Sequence, residues 1–388
     1  MLCLVLGAHQ GGARMRKVLG VGLVAVAVVV ATAVPSFALT ADADGGTDMV
    51  SGNVYALDAG GGFIYIGGKF HSIRDPDKRT TCTADNLVRF DETTGAGDCS
   101  WTPTLPGTYV HGLAVLGGFI YVGGDFGLVR VDTTTGLVDP TFSIDVGRVN
   151  AVTAAADGSG VYFGGAFHRV NGHPHADLAF VSTAGAVSKT FAPSLDGTVR
   201  HIRISPDGYL VVSGGFEHAS GHLDQSIAEL DPSTGAVNTG FAAAIPEIGA
   251  MTCFDTAPTS TVIYAACGNK HNFMAAFDAS SGAQIWRQGL GGNGESIALT
   301  GSTLFVGGHF GTRDPTTEQC GSNYLHGVLT ASTVDGTIDC DWDPLLVPDT
   351  HNYTGGWVMD LVGSHLWVGG RFSSIDGIAH HGVARWTL

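Results

Sequence analysis

Charge is scarce in this chain. Of 388 residues only 14% are charged, against a typical ~25%, and 35 Asp and Glu outnumber 19 Lys and Arg. A formal charge of −16 offers no basic stripe to neutralise phosphates, which argues against nucleic acid and against an anionic lipid surface as partners. No helical pattern of useful length follows residue 38. The seven cysteines include no Cys-x-x-Cys or other close pair, so a thiolate metal site has no starting point. Catalytic signatures are missing too: there is no Gly-x-Ser-x-Gly elbow and no His-Glu-x-x-His. The one Gly-Lys pair, Gly68-Lys69, runs into Phe70 rather than Ser or Thr.

What is abundant is glycine, 58 residues, in a chain that is 44% apolar. The glycines lack a three-residue period, which excludes collagen, and the apolar content disfavours disorder. Many short strands joined by tight turns account for both figures. The N-terminus is a separate segment. Met15-Arg16-Lys17 is a short basic run, Val18 to Val34 is unbroken apolar and glycine sequence, and Pro35-Ser36-Phe37-Ala38 ends it with small residues. This is the layout of a secretory signal peptide over residues 1–38, with Met15 as the expected true start and cleavage expected after Ala38. The segment carries three basic residues and no acid, so the remainder is more acidic still.

Residues 39–388 are built on a degenerate repeat. An apolar run ending in small residues occurs at Phe63–Gly68, Phe119–Gly124, Val161–Gly165, Leu210–Gly215, Leu304–Gly308 and Leu366–Gly370, with a decayed copy at Val262–Cys267. A second landmark is a turn glycine followed six residues later by an aromatic. It links Gly95 to Trp101, Gly136 to Phe142, Gly185 to Phe191, Gly235 to Phe241 and Gly336 to Trp342; Gly282 and Trp286 lie closer. An Asp that bonds its own downstream backbone, then a Gly able to take positive φ, suits a tight hairpin. Each unit reads as four strands, A to D; in the first unit A is Val54–Leu57, B Phe63–Gly67, C Leu87–Asp91, and D runs through Trp101. A lone four-stranded sheet cannot bury both faces, whereas radially packed blades bury each other's. The expectation is one all-β domain, a seven-bladed β-propeller of four-stranded antiparallel blades, with the strand-D aromatics as wedges between blades. The chain ends on a strand C, so residues 39–52 are expected to supply the last strand D and close the ring.

The Ile-Tyr-Ile-Gly-Gly strand with Phe90-Asp91-Glu92-Thr93-Thr94-Gly95 and Trp101 resembles the kelch repeat. Gly164–Gly172 and Gly369–Gly377 are more similar to the delta-60-type repeat of secreted bacterial propellers, and Ala276–Trp286 resembles the tryptophan-docking motif of quinoprotein propellers. These likenesses cover nearly all of residues 50–388 and imply a fold far more than a function. The quinoprotein likeness lacks the adjacent cysteine pair of that family's redox site.

Cys3 leaves with the leader, and six cysteines remain in an exported chain. Cys99 and Cys340 stand at equal places in their units, each after an upstream Arg-Asp-Pro and a cysteine, which pairs Cys82 with Cys99 and Cys320 with Cys340. Cys253 on strand A and Cys267 at the end of strand B are expected to face each other.

Two places invite a ligand. The aligned strand-A entries read Asn53, His111, Asn150, Arg200, Gly249, Glu295 and Trp357, one side chain per blade at the central mouth. The B–C loops carry most of the histidines, and His173, His175, His218 and His222, with acids such as Asp177 or Asp224, form a candidate divalent-metal site. The competing reading makes these histidines ordinary polar and packing residues of the loops, and no cofactor is expected. The functional expectation is a secreted, monomeric binding module for an extracellular protein or glycan, with no membrane span after leader removal. One alternative is an extracellular hydrolase or lyase with its site at the mouth, using Glu295, His111, Arg200 and loop acids. Another is a structural or adhesive surface protein.

Overall fold

The computed structural model describes residues 43–243, 245, 251–310, 326–348 and 354–388. The leader, Gly249 and Cys320 lie outside these residues. Among the described residues there is no helix; beside three small sheets of two or three short strands, seven larger antiparallel sheets follow one another along the chain. Their innermost strands are Asn53–Gly60, Val110–Leu116, Val146–Ala154, Val199–Ile204, Met251–Pro258, Gly294–Thr300 and Gly355–Val362. Each inner strand packs against the next, and Gly355–Val362 packs against Asn53–Gly60, so the strands form a closed ring. The architecture is a β-propeller, and the sheets are numbered here as blades 1 to 7.

The outer edge of most blades is thin. A regular fourth strand, Gln284–Gly289, occurs in blade 5, whereas blades 1, 2, 3, 4 and 6 hold that edge by single bridges such as Phe90–Gly97 and Val131–Val138. Side chains hold the edge where the ladder does not. Arg89 on the third strand of blade 1 grips Asp98 on the outer segment at 2.6 Å, and Arg130 grips Asp139 in blade 2 at 2.6 Å. Each guanidinium also donates to a carbonyl in the turn of the next blade, Thr133 and Thr183 respectively. Three residues after each Asp comes the wedge. Trp101, Phe142, Phe191, Phe241 and Trp342 are all buried. The Trp101 and Trp286 indoles donate to Asp132 O and Thr333 O of the following blades.

Blade 7 completes itself with the start of the described chain. Asp44 N donates to Arg385 O at 2.7 Å and Arg385 Nε lies 2.9 Å from the Asp44 carboxylate, the same relation as in blades 1 and 2. Thr47, fully buried, occupies the wedge position against Gly95 that Trp101 occupies against Gly136. The expected closure by pairing of the two ends is therefore present, with a threonine where an aromatic was sought.

The small-residue pair of each second strand has two separate jobs. A Cβ on Gly67 would collide with Val110 of the next blade, and one on Gly369 would collide with Val54 across the closure. A Cβ on Gly68 would collide with the carbonyl oxygen of Asn53 on its own inner strand. In blade 4 the register assigns these places to Ser213 and Gly214 rather than to Gly214 and Gly215. In blade 5 Cys253 and Cys267 stand opposite each other at these places and are joined, and Cys82–Cys99 is the second disulfide. Cys340 is disulfide-bonded; its expected partner Cys320 is outside the described residues.

Replacing Gly68 by Ala is expected to destabilise the fold by about 2 kcal/mol or more, because backbone rather than a movable side chain blocks the new methyl. Ala at Gly289, where nothing lies within 4 Å, is expected to be neutral or slightly stabilising. Denaturant midpoints of the two variants check this, and equal midpoints would refute it.

Candidate functional site

The carbonyl seated on that glycine has a consequence in the inner strand. Val54 pairs with Gly68 and Ala56 with Gly67, so Tyr55 is left over as a β-bulge. The same irregularity strands one residue in every blade: His111, Asn150, Arg200, Phe254, Glu295 and Trp357. A bulge re-aims the side chain of the extra residue. All seven line one cavity of about 340 Å³ at the ring centre, joined by Arg148, His201 and Asp255 among others.

Five of the six residues expected at the mouth, His111, Asn150, Arg200, Glu295 and Trp357, are brought together here. The sixth is corrected: Asn53 stands two residues early, where its amide donates to the Tyr55 hydroxyl at 3.2 Å, and Tyr55 is the lining residue. Blade 5 contributes Phe254 rather than Gly249, which lies outside the described residues. Counting strand entries misses both because the bulge, not the strand start, sets the register. The usable signal is distance back from the glycine pair.

The cavity has two unlike sides. Trp357, Tyr55 and His111, from blades 7, 1 and 2, form an aromatic wall. The Tyr55 and Trp357 rings are parallel within 2° with centroids 5.5 Å apart, and His111 lies 5.4 Å from Tyr55. Burial, reinforced by Arg148 and Arg200, pushes His111 down to about 4, so its imidazole is neutral at neutral pH. Arg148 and Arg200 come from blades 3 and 4. Arg148 Nε donates to Asn150 at 2.8 Å, and Arg200 lies over the Phe254 ring at 5.7 Å. Burial and then the neighbouring Arg148 lower the Arg200 pKa. Neither arginine has a carboxylate at ion-pairing distance among the described residues. The acids of the lining are engaged elsewhere. Glu295 lies 3.1 Å from His309 and raises its pKa. Asp255 is 2.8 Å from His201, 3.7 Å from Arg203, and accepts from Ile297 N. Burial opposes its ionisation, but these groups together hold its carboxyl below the usual range.

Three residues past each bulge stand Asp58, Ala114, Thr153, Arg203, Ala257, Ala298 and Asp360. Burial above all, and then Asp360, push Asp58 up to about 7, although it accepts from Val115 N at 2.6 Å. Asp360 is raised by burial, with Arg203 opposing.

The histidines of the excursions between second and third strands do not converge. In blades 3, 4 and 7 these excursions are small hairpins whose turns carry Asn171, Ser220 and Asp376 at φ 48°, 49° and 49°. Each turn residue clasps the preceding blade: Asn171 N donates to Asp145 O while Asp145 N donates to the Asn171 side chain, and Ser220–Ser194 and Asp376–Leu345 repeat it. His218 pairs with Asp196 at 2.8 Å, His222 with Asp224 at 3.3 Å, His175 is buried and His173 is exposed. Among the described residues no three His, Cys, Asp or Glu side chains gather as a metal site.

Asp58 gives a pH test. Its folded pKa, about 7, exceeds the ordinary 3.8, so the fold favours the neutral acid. That contribution is complete below about pH 4 and is lost as pH rises through about 7. The melting temperature of wild type should therefore fall relative to Asp58→Asn from pH 4 to pH 8. Parallel pH profiles of the two proteins would show that Asp58 is not the titrating group.

Comparison with known proteins agrees on architecture. Residues 128–301 match the family model for the Rax2 C-terminal beta propeller domain. No curated protein sequence matches the chain. The extracellular domain of the one-component system BT4673 from B. thetaiotaomicron is similar in structure at TM-score 0.56 and 11% identity, over 88% of this chain and 39% of that one. The chain thus spans about two fifths of that protein's length. The WD40 beta propeller domain of Doa1 gives TM-score 0.56 at 10% identity over 88% and 96% of the two chains. The computationally designed Ika8 protein gives 0.51 at 12% over 88% and 98%. Likeness at such identities shows the fold, and the fold these share with the chain is the β-propeller.

Proposed function

We propose that this chain is an exported β-propeller binding module, of kelch-like and delta-60-type repeats, that takes an extracellular glycan into its central cavity. One observation carries the reading: every blade spends a β-bulge to turn one side chain toward the same cavity. Its size, about 340 Å³, is at the small end of ligand pockets and suits one or two sugar rings. The stacked rings of Trp357 and Tyr55 offer rigid aromatic surface to the C–H face of a sugar, while Glu295 offers a polar partner to its hydroxyls. Binding is favoured over hydrolysis because Glu295 and Asp255 are both tied to histidines. Export rests on the leader and is supported by two disulfides, a bond type that persists in oxidising compartments. Among the described residues no helix is long and apolar enough to cross a membrane.

Two measurements check the reading. The secreted protein is expected to begin at Leu39 by N-terminal mass spectrometry; retention of residues 1–38 would count against export through cleavage. On an array of neutral and acidic glycans the mature protein is expected to bind a subset, and Trp357→Ala is expected to weaken that binding about tenfold or more. Binding indifferent to Trp357 would remove the cavity from the function.

A further inference from the structure

The cavity is less acidic than the chain, its lining matching two arginines, Arg148 and Arg200, with two carboxylates, Asp255 and Glu295. Acids outnumber bases 35 to 19 overall. The guanidinium groups on the blade faces, Arg89, Arg130 and Arg385, are each neutralised by an Asp of their own blade. Arg148 and Arg200 differ. Both line the cavity, both are exposed to it, burial weighs on the charge of Arg200, and neither has a carboxylate at ion-pairing distance among the described residues. Their mutual repulsion, felt at Arg200, is a cost that an anion placed with them would relieve. Glu295, which lies against His309, offsets only part of it, and the Arg200 pKa stays lowered. The imidazole of His111, on the facing wall, stays neutral and adds no charge of its own.

Resting on the reading that this cavity binds a glycan, we infer that the ligand is a carboxylated sugar, with its ring against Tyr55 and Trp357 and its carboxylate held by Arg148 and Arg200. A guanidinium presents a planar fork of donors that matches a carboxylate bidentately, and such charge-assisted bonds are stronger than neutral ones. The opposition of an aromatic wall to an arginine pair suits a flat-faced ring bearing one acidic group at its edge. Glu295 on blade 6 disfavours a second acidic group on the same ring and accepts a hydroxyl instead. A polymer of such residues seats one or two rings at a time, which fits a cavity of this volume.

Calorimetric titration of the mature protein with uronate trimers (glucuronate, galacturonate, mannuronate and guluronate) and with their neutral hexose counterparts tests this. At least one uronate is expected to bind about tenfold or more tightly than its neutral counterpart. Arg200→Gln and Arg148→Gln are each expected to bring the two near parity, and Arg200→Lys to keep part of the preference. Should Arg200→Gln fail to give a native circular-dichroism melt, Arg148→Gln carries the same comparison. Neutral trimers binding as tightly as uronates, or an unchanged preference in the arginine variants, overturns the inference and leaves the glycan-binding cavity standing. Preference for sulfated over carboxylated trimers also overturns it. If no saccharide binds, or if Trp357→Ala changes no binding, the inference and the underlying reading fall together.

Discussion

A backbone carbonyl resting on an α-carbon without a side chain is the contact from which the rest of this molecule follows. Asn53 O lies where a Cβ of residue 68 would be, and the same encounter recurs between Tyr109 and Gly124, Arg148 and Gly165, and Gly355 and Gly370. The close approach accommodates one residue more on the inner strand than on its partner. That surplus residue is a bulge, and a ring of bulges around an axis is a ring of side chains aimed at one place. Fold and pocket thus have the same cause. Loss of the second glycine in a blade that has one would disturb the packing of that sheet, whereas blade 5 keeps its bulge at Phe254 with Cys267 in that place.

The neighbouring glycine governs the contact between blades. With no side chain at Gly67, Gly123, Gly164 or Gly369, a valine of the next inner strand packs directly on the sheet. The ring is tight at its centre for that reason, and the wedge aromatics fill the widening gap further out. The outer edges have little regular ladder, and the repeated Arg–Asp grip and the reciprocal clasp of the turn hairpins take its place. Blade 5 departs most. It has a disulfide where the others have a bare approach, and it alone has a regular fourth strand among the described residues.

Electrostatics divide the channel into layers. At the bulge layer Arg148 and Arg200 have no carboxylate at ion-pairing distance among the described residues and stand beside a neutral aromatic wall. One layer in, Arg203 sits among Asp58, Asp360 and Asp255, and burial favours the protonated form of the first two.

Much of this was legible in the chain itself. The spacing of turn glycine to aromatic and the small-residue pairs dictate a radial stack of small sheets, since no other arrangement buries both faces of each. The same register paired Cys82 with Cys99 and Cys253 with Cys267, and placed His111, Asn150, Arg200, Glu295 and Trp357 on one axis. The identity of the remaining lining residues was decided by tertiary structure. Whether residue 53 or 55 faces the cavity depends on a one-residue bulge, which reverses the facing of everything after it and is set by a contact to another strand. The pairing of Asp255 with His201, the isolation of Arg148 and Arg200, and the failure of His173, His175, His218 and His222 to meet depend on distances between blades. Sequence spacing within a blade carries no information about those distances, because side chains from different blades meet only after the ring has closed.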